Sequence, residues 1–401
     1  MKSVVVVGAS LAGLSAARAL RAQGFTGELV VVGEEIHRPY DRPPLSKDFL
    51  AGRTEALDLA LEAAEDQLQA RWLLGARAVG LNAATRTLSL SDGSHLAADG
   101  IVLATGARAR KLPGTGTMSG VHTLRTLDDA VALRQELQPG RRLVVIGAGF
   151  IGAEAAATAH TLGLQVTVVE AMATPLSGPL GIEMGSVVSA LHTDHGVTLL
   201  CGTGVSRLLG TDRVEGVELA DGQLLDADVV LVGIGAIPNI EWLQGSGLDL
   251  GNGVLCDNGG LTNYPGIVAV GDCAAWLDPS TSQHERVEHW TGALERPKVA
   301  VAGLLSGTSA GVATRPPYFW SDQYDVCIQF AGVWRPDDVV TVELGDPSER
   351  SFLASYRRGG ELVAVLGMNQ PRQFGRWRRQ LSSHPTGSSA REVPTPTAAS
   401  A

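Results

Sequence analysis

A short run of apolar, β-branched residues near the N-terminus predicts a strand that is buried on both faces. This strand covers residues 3–7. A glycine-containing turn follows at residues 8–13, and apolar residues at helical spacing follow the turn. A second apolar run at residues 29–32 ends shortly before Glu34. The pattern therefore predicts, in order, a strand, a glycine turn, a helix, a strand and an acidic residue.

The same order recurs at residues 143–170. Here the glycine turn is at residues 147–152, and Glu170 directly follows the second strand. Each copy is followed by an Asp-Gly turn, at residues 92–93 and 221–222, and then by another apolar strand. Internal similarity over this distance predicts two related domains and argues against a short-period solenoid.

After the second copy, the pattern of apolar residues changes to short runs separated by turns. Short runs of β-branched and apolar residues between Asp and Gly turns predict strands at residues 326–330, 339–344, 351–356 and 362–368. A short helix is predicted at residues 376–381, which makes this segment a small α+β domain. From residue 382 onward Ser, Thr, Pro and Ala dominate, so we expect a disordered tail.

Composition narrows the functional class. The 401 residues are 44% apolar and 18% charged, which argues against a disordered or fibrous chain. The formal net charge of −10 argues against nucleic acid or anionic membranes as general partners. No apolar stretch is long enough for a membrane span or a signal peptide, so we expect a cytoplasmic protein. The four cysteines form no CxxC pair, which disfavours a structural metal site and a local redox disulfide.

The two glycine turns have the spacing of dinucleotide-binding turns. In such a turn the first glycine allows a tight bend, and the second lets backbone N–H groups approach a pyrophosphate. The third lets the helix pack on the strand. The first turn has Ser10 in place of the second glycine. An ordinary turn of an α/β sheet is the alternative for either copy alone, but two copies in register favour two dinucleotide sites.

Two acidic residues complete these sites. Glu34 and Glu170 are predicted to bind adenosine ribose hydroxyls, and solvated residues at strand ends are the alternative. The three residues after Glu170 are uncharged and include Met172, so none of them can pair with a 2′-phosphate. The second site is therefore predicted to prefer NADH over NADPH.

Two dinucleotide sites on one chain imply electron transfer between two dinucleotides. FAD and NADH are the natural pair. The segment at residues 267–272 supports FAD, because a strand there is followed by Gly271 and Asp272. A carboxylate in that position can accept hydrogen bonds from a sugar-like chain.

Six segments resemble the flavoprotein ferredoxin reductases of bacterial oxygenase systems, the putidaredoxin-reductase and biphenyl-dioxygenase-reductase type. They are RPYDRPPLSK at residues 38–47, ATGAR at 104–108, LRTLDDA at 124–130, GD at 271–272, EHW at 288–290 and WSDQ at 320–323. The resemblance extends over about residues 3–381.

This resemblance implies an α/β fold with glutathione-reductase-like architecture. Two Rossmann-like dinucleotide-binding domains are expected, with a small C-terminal α+β domain. The implied division is an FAD-binding domain at residues 1–108 and 236–314, an NAD-binding domain at 109–235, a C-terminal domain at 315–381 and a tail at 382–401.

The resemblance also implies site residues. For FAD they are Gly8, Ala12, Gly13, Glu34, Arg42, Lys47, Val79, Arg125, Asp272 and Trp290, and for NAD they are Gly147, Gly149, Gly152, Glu154 and Glu170. Lys47, Glu154 and Trp320 are implied to orient the reactants and to set the electrostatics at the flavin. The resemblance implies no covalent nucleophile and no metal ion. A surface lysine and a core aromatic residue are the alternatives for Lys47 and Trp320. The resemblance implies no role for His289, and we expect it to pack or to lie at the surface.

Together these features suggest a function. NADH would reduce FAD by hydride transfer, and FAD would pass single electrons to an iron–sulfur ferredoxin that serves an oxygenase or haem monooxygenase. The alternatives are a rubredoxin reductase, an NADH oxidase or a monodehydroascorbate-type reductase of the same architecture, and a redox-sensing binding protein from another class. An acidic ferredoxin needs a basic docking face, and we expect it to include Arg372, Arg376, Arg378 and Arg379.

Overall fold

The computed structural model describes residues 1–63, 66–113, 118–279, 281–309 and 316–382. Its helices are α1 (Leu11–Ala22), α2 (Leu127–Glu136), α3 (Phe150–Thr161), α4 (Ser177–Leu180), α5 (Ile182–Asp194), α6 (Trp290–Ser306) and α7 (Pro371–Ser382). Short 3-10 helices cover Pro43–Ser46, Ala56–Leu59, Glu241–Leu243, Gly271–Cys273 and Pro347–Glu349.

A parallel sheet around the N-terminal strand forms the core of the first region. Its strands run in the order Ile267–Ala269, Gly100–Leu103, Ser3–Val7, Glu28–Gly33 and Ala70–Leu74. The central valines are almost completely buried, as the unbroken apolar run requires. The edge strand Ile267–Ala269 comes from late in the chain, so Asp272 lies beyond a strand of the same sheet as the first glycine turn.

A second parallel sheet repeats this arrangement. Its strands run in the order Thr198–Cys201, Gln165–Glu170, Arg142–Ile146, Val229–Val232 and Val121–His122. Helix α3 follows the second glycine turn and packs on this sheet. The carboxyl ends of its strands therefore present the turn, as in the first sheet.

Smaller sheets complete the two regions. Antiparallel strands pair at Ala78–Asn82, Thr87–Leu90 and His95–Ala97, and at Val205–Gly210, Val214–Leu219 and Leu224–Asp226. A mixed sheet joins Leu250–Gly251, Gly253–Cys256, Ala274–Asp278 and Gln283–Arg286. Where the chain passes between the two regions, Ala107–Ala109 pairs antiparallel with Ala236–Pro238.

An antiparallel sheet forms the third region, at the C-terminal end of the described chain. Its strands run in the order Tyr318–Gln323, Val326–Gly332, Glu361–Met368, Ser351–Arg358 and Val339–Asp346. Helix α7 covers one face, where Phe374 packs on Gly367. The other face packs on helices α4 and α5 through a shared apolar cluster.

The predicted fold class is confirmed, but the C-terminal region has one further strand, and its elements are longer than predicted. Helix α7 begins at Pro371, before the predicted residue 376, because proline is well suited to the first turn of a helix. The strand Tyr318–Gln323 was not predicted because its second half is polar in sequence, although Ser321 and Gln323 are buried. The predicted disordered tail begins at residue 382, but Ser382 is the last residue of α7; the rest of the predicted tail, residues 383–401, lies outside the described residues. No helix in the described segments is long and apolar enough to cross a membrane.

Candidate active site

The first glycine turn joins the first strand to α1 with no room for a side chain at Gly8 or Gly13. Gly8 has a φ of +123°, and an ideal Cβ on it would lie 2.0 Å from the carbonyl oxygen of Ala104. A Cβ on Gly13 would lie 1.8 Å from the carbonyl oxygen of Gly8. Ala12 is buried beside them. The close approach of the neighbouring chain at Ala104 therefore requires Gly8, and the packing of α1 on the first strand requires Gly13.

Ser10, which replaces the second glycine, is hydrogen-bonded to Arg42. Arg42 Nε donates to Ser10 Oγ at 3.2 Å, Nη1 donates to the carbonyl oxygen of Arg125 at 2.6 Å, and Nη2 donates to Glu35 at 2.6 Å. The Tyr40 hydroxyl donates to the other Glu35 oxygen at 2.5 Å. Burial raises the pKa of Tyr40 well above its ordinary value. The substitution at Ser10 thus ties the glycine turn to the segment that carries Arg42.

The second glycine turn is closed at two positions and open at the third. Gly147 has a φ of +98°, and a Cβ on it would lie 2.4 Å from the carbonyl oxygen of Gly233. A Cβ on Gly152 would lie 2.2 Å from the carbonyl oxygen of Gly147. Around Gly149, by contrast, no described heavy atom lies within 4 Å of the ideal Cβ position. The protein leaves this space at the N-terminus of α3, where backbone N–H groups attract an anion.

The two acidic residues have different surroundings. The backbone N–H groups of Ala148 and Met172 donate to opposite oxygens of Glu170, at 2.8 and 2.9 Å. This carboxylate is therefore held beside the second turn. The Glu34 side chain is 68% exposed and lies 3.7 Å from Arg77 Nε. The neighbouring residue, Glu35, joins the Arg42 network instead.

A cavity of about 890 Å³ lies between the three regions. It brings together eight of the predicted site residues, namely Arg42, Lys47, Arg125, Gly149, Glu154, Asp272, Trp290 and Trp320. Predicted residues outside its lining are Gly8, Ala12, Gly13, Glu34, Val79, Gly147, Gly152 and Glu170. Val79 is 47% exposed.

One wall of the cavity combines paired charges with indole rings. Arg125 Nη2 donates to Asp272 at 2.6 Å, and its Nε donates to the carbonyl oxygen of Ala107 at 3.0 Å. The Trp290 ring N–H donates to the Asp41 carboxylate. Its indole meets that of Trp320 edge-on, with ring centroids 6.0 Å apart. The polar groups of this wall are therefore held in a defined arrangement by other groups of the protein.

Glu154 is the point at which all three regions meet. This residue of α3 is only 5% exposed. Its carboxylate accepts hydrogen bonds from the Ser46 and Ser321 hydroxyls at 2.5 and 2.8 Å and from the Asp322 N–H at 3.3 Å. Lys47 Nζ lies 3.1 Å from the same carboxylate. Residues from the first and third regions are thus fastened to one buried side chain of the second.

His289 also lines the cavity, although it was expected to pack or to lie at the surface. Its ring does pack against Phe319, with centroids 5.3 Å apart. Burial lowers the pKa of His289 to about 4, so the ring is neutral at physiological pH. Its Nδ1 is buried and has no hydrogen-bond partner among the described residues. A neutral ring nitrogen of this kind can still bond to a ligand.

All four cysteines lie in described segments, and each is a free thiol: Cys201, Cys256, Cys273 and Cys327. None of them lines the cavity. Among the described residues, no group of three or more His, Cys, Asp or Glu side chains is arranged to hold a metal ion.

Comparison with known sequences agrees with this geometry. Residues 2–296 match the family described as "Pyridine nucleotide-disulphide oxidoreductase", and residues 318–393 match "Reductase C-terminal". The chain belongs to the pyridine nucleotide-disulphide oxidoreductase family. Within this family it carries the reductase C-terminal region as its antiparallel sheet and α7.

Several characterised members of the family are similar over nearly the whole chain. Rhodocoxin reductase of Rhodococcus erythropolis is 38% identical over 95% of this chain and 90% of its own length. The ferredoxin reductase component of chlorobenzene dioxygenase from a Cupriavidus species is 40% identical over 92% of this chain and 90% of its own. The crystal structure of a covalent putidaredoxin reductase–putidaredoxin complex matches with a TM-score of 0.89 and 34% identity, covering 95% of this chain and 93% of that one. The resemblance to bacterial ferredoxin reductases is confirmed.

Proposed function

We propose that the protein is an NADH-dependent flavoprotein reductase that passes electrons through FAD to an iron–sulfur ferredoxin. The observation that carries this proposal is the shared cavity, which is lined by the second glycine turn and by residues predicted for FAD. When bound, FAD accepts a hydride and releases electrons one at a time. The chain itself contributes proximity and orientation, since its buried charges and rings are already in place.

Three observations support a fit to FAD. Leu11, the first residue of α1, lines the cavity, so the helix N-terminus is directed toward it. Side chains of both charges line the cavity: Arg42 and Lys47 are positively charged, and Asp272 is negatively charged. The unpartnered Nδ1 of His289 is a buried polar atom that needs a partner.

The proposed ligands follow from these positions. Gly8, Ala12 and Gly13 would hold the FAD pyrophosphate, and Glu34 and Val79 the adenosine end. The remaining FAD contacts would come from Arg42, Lys47, Arg125, Asp272 and Trp290. NADH would be held by the turn containing Gly147, Gly149 and Gly152 and by Glu170. Glu154 and Trp320 would orient the reactants within the cavity.

Coenzyme preference provides a prediction. A Glu170→Ser/Met172→Arg double variant is expected to move the preference from NADH toward NADPH. Glu170 is held by two N–H groups and repels a 2′-phosphate, whereas residue 172 is 61% exposed and leaves room for an arginine. The ratio of kcat/KM for NADH to kcat/KM for NADPH should fall by about tenfold, corresponding to ~1.4 kcal/mol.

The control for this variant is Met172→Arg alone, in which the carboxylate remains. Its coenzyme ratio should change less than that of the double variant. An unchanged ratio in a double variant that retains FAD would contradict the proposed role of Glu170.

The proposed ferredoxin face lies on helix α7. Arg372, Arg376 and Arg379 are exposed and occur at spacings of four and three residues, so they share one side of the helix. Arg378 differs from them because its guanidinium lies 4.0 Å from the centroid of the Tyr318 ring. We therefore assign the docking role to the three exposed arginines and a packing role to Arg378.

Charge reversal tests this face. An Arg376→Glu/Arg379→Glu variant is expected to raise the half-saturating concentration of an acidic ferredoxin about tenfold at low salt and to weaken its salt dependence. A matched control places the same charge change at Arg71 and Arg207, exposed arginines on other sheets. Equal effects of both variants would indicate a general charge effect and would refute docking on α7.

Acceptor specificity tests the proposed function directly. Steady-state NADH oxidation is measured with a [2Fe–2S] ferredoxin coupled to cytochrome c, with rubredoxin, and with oxygen alone. We expect the ferredoxin to give the highest kcat/KM. Efficient turnover with oxygen or rubredoxin, and none with ferredoxins, would overturn the assignment.

A further inference from the structure

A short wall of the cavity belongs to the second region and is held by the third. Gly178 and Pro179 line the cavity and lie in the one-turn helix α4. The residues on either side, Leu176 and Gly181, have φ values of +56° and +84°. A non-glycine residue such as Leu176 occupies the left-handed region only where its surroundings hold it there. The position of this wall therefore depends on what packs against it.

Two aromatic side chains of the third region hold the wall by hydrogen bonds. The ring N–H of Trp334 donates to the carbonyl oxygen of Gly178 at 2.8 Å. The hydroxyl of Tyr356 donates to the carbonyl oxygen of Leu180 at 2.7 Å. The six-membered ring of Trp334 would lie 3.4 Å from a Cβ on Gly181, which is direct packing distance. Both bonds go to backbone groups, so they set the position of the wall and not the rotamer of a side chain.

The loop that carries Trp334 is itself fixed. The Asp338 carboxylate, whose side chain is fully buried, accepts two hydrogen bonds from Arg358, both at 2.8 Å. It also accepts the backbone N–H of Arg335 at 2.6 Å. Arg358 Nη2, which bonds to Asp338, also donates to the carbonyl oxygen of Val333 at 3.3 Å. Hydrogen bonds to Asp338 therefore hold the loop that carries the Trp334 indole.

Trp334 also reaches the cavity, where other aromatic residues connect it with the second glycine turn. Phe150 directly follows Gly149, and its ring lies 4.6 Å from that of Phe319. Phe319 in turn stacks on Phe330 at 5.3 Å. Tyr356 links Phe330 to Trp334, with ring centroids 5.5 and 6.3 Å away. A dinucleotide bound at the second turn and extending into the cavity would meet this aromatic surface and the wall that Trp334 holds.

We propose that Trp334 is a positioning residue for the pyridine dinucleotide. Its N–H holds the wall at residues 177–181, and its ring closes that end of the cavity, so the third region takes part in binding NADH as well as in docking a ferredoxin. This inference rests on the proposed function, because it assumes that NADH occupies the second turn.

The test uses the FAD-loaded protein and Trp334→Phe, which retains an aromatic ring and removes the N–H. NAD⁺ affinity is measured by calorimetry, and NADH kinetics are measured with ferricyanide as acceptor. We expect the Kd for NAD⁺ and the KM for NADH to rise about tenfold, corresponding to one lost hydrogen bond. The kcat at saturating NADH, the FAD content and the KM for ferredoxin should stay within about twofold of the wild type.

Two further variants make the result decisive. Tyr356→Phe removes only the hydroxyl that bonds to Leu180 and should raise the same Kd by a few fold, even if Trp334→Phe does not fold. Trp377→Phe, on α7 and outside the cavity lining, is the matched control and should leave NAD⁺ affinity unchanged. Unchanged NAD⁺ affinity in folded Trp334→Phe or Tyr356→Phe would overturn the inference. If the wild-type protein itself does not bind NAD⁺, the proposed function fails instead.

Discussion

We expect a Gly149→Ala variant to keep its fold and its FAD while its KM for NADH rises at least about tenfold, or ~1.4 kcal/mol. Gly149 differs from the other glycines of its turn, since no described atom lies within 4 Å of its ideal Cβ position. Its φ is also compatible with alanine, because it is −71°. An added methyl group therefore disturbs only a ligand that approaches the N-terminus of α3.

Steady-state kinetics with ferricyanide, together with the visible spectrum of bound FAD, measure this effect. Gly204→Ala is the matched control, because its Cβ site is also open and it does not line the cavity. Gly152→Ala should instead destabilise the protein, since its Cβ would lie 2.2 Å from a backbone oxygen. A normal KM for NADH in Gly149→Ala would show that the dinucleotide does not bind at this turn.

The second large effect is expected from Glu154→Gln. NADH-dependent bleaching of the flavin should slow by about 10- to 100-fold, because displacement of reacting groups by about 1 Å has effects of this size. The substitution removes the charge that pairs with Lys47, whose side chain is only 16% exposed. The two Glu154 oxygens accept hydrogen bonds from the Ser46 and Ser321 hydroxyls, and the substitution replaces one of these oxygens with an NH₂ donor.

Anaerobic stopped-flow absorbance with saturating NADH measures this rate without any contribution from the electron acceptor. Glu241→Gln is the control, since it breaks an ion pair with Arg108 in which both side chains are about half exposed. Such surface pairs contribute about 0–1 kcal/mol, so its bleaching rate should match the wild type. If Glu154→Gln bleaches at a rate within about twofold of the wild type, Glu154 does not contribute to flavin reduction by NADH.

The parallel cores were predictable because local constraints determine them. Unbroken β-branched runs such as Ser3–Val7 indicate strands covered on both faces, and the structure has a strand with these bounds. Gly13 and Gly152 are required by contacts within a single strand–turn–helix unit. The repeat of that unit therefore predicted the architecture.

The connections between regions could not be predicted in the same way. Glu154 contacts Ser46 and Ser321, which are 108 and 167 residues away in the chain. Trp334 and Gly178 are 156 residues apart. No periodicity encodes such contacts, because they depend on how separately folded units pack. The resemblance implied Lys47, Glu154 and Trp320 as site residues, but it did not indicate that the Glu154 carboxylate contacts Lys47 and Ser321.

Adjacent residues were also difficult to separate by pattern. Glu34 was predicted to bind a ribose because it follows the strand run, and this stays a prediction; the neighbouring Glu35 carries the ion pair with Arg42. His289 was expected to be a packing or surface residue because the resemblance implied no role for it, yet it lines the cavity. In both cases the side chain's direction decides its role, and direction depends on tertiary packing.

The most direct test of the central claim is an anaerobic titration of the purified protein with NADH and, separately, with NADPH. The visible spectrum is recorded after each addition. Our account predicts a yellow protein whose flavin absorbance is bleached stoichiometrically by NADH and poorly by NADPH. A colourless protein that FAD cannot reconstitute, or a flavin that NADH does not bleach, would contradict it.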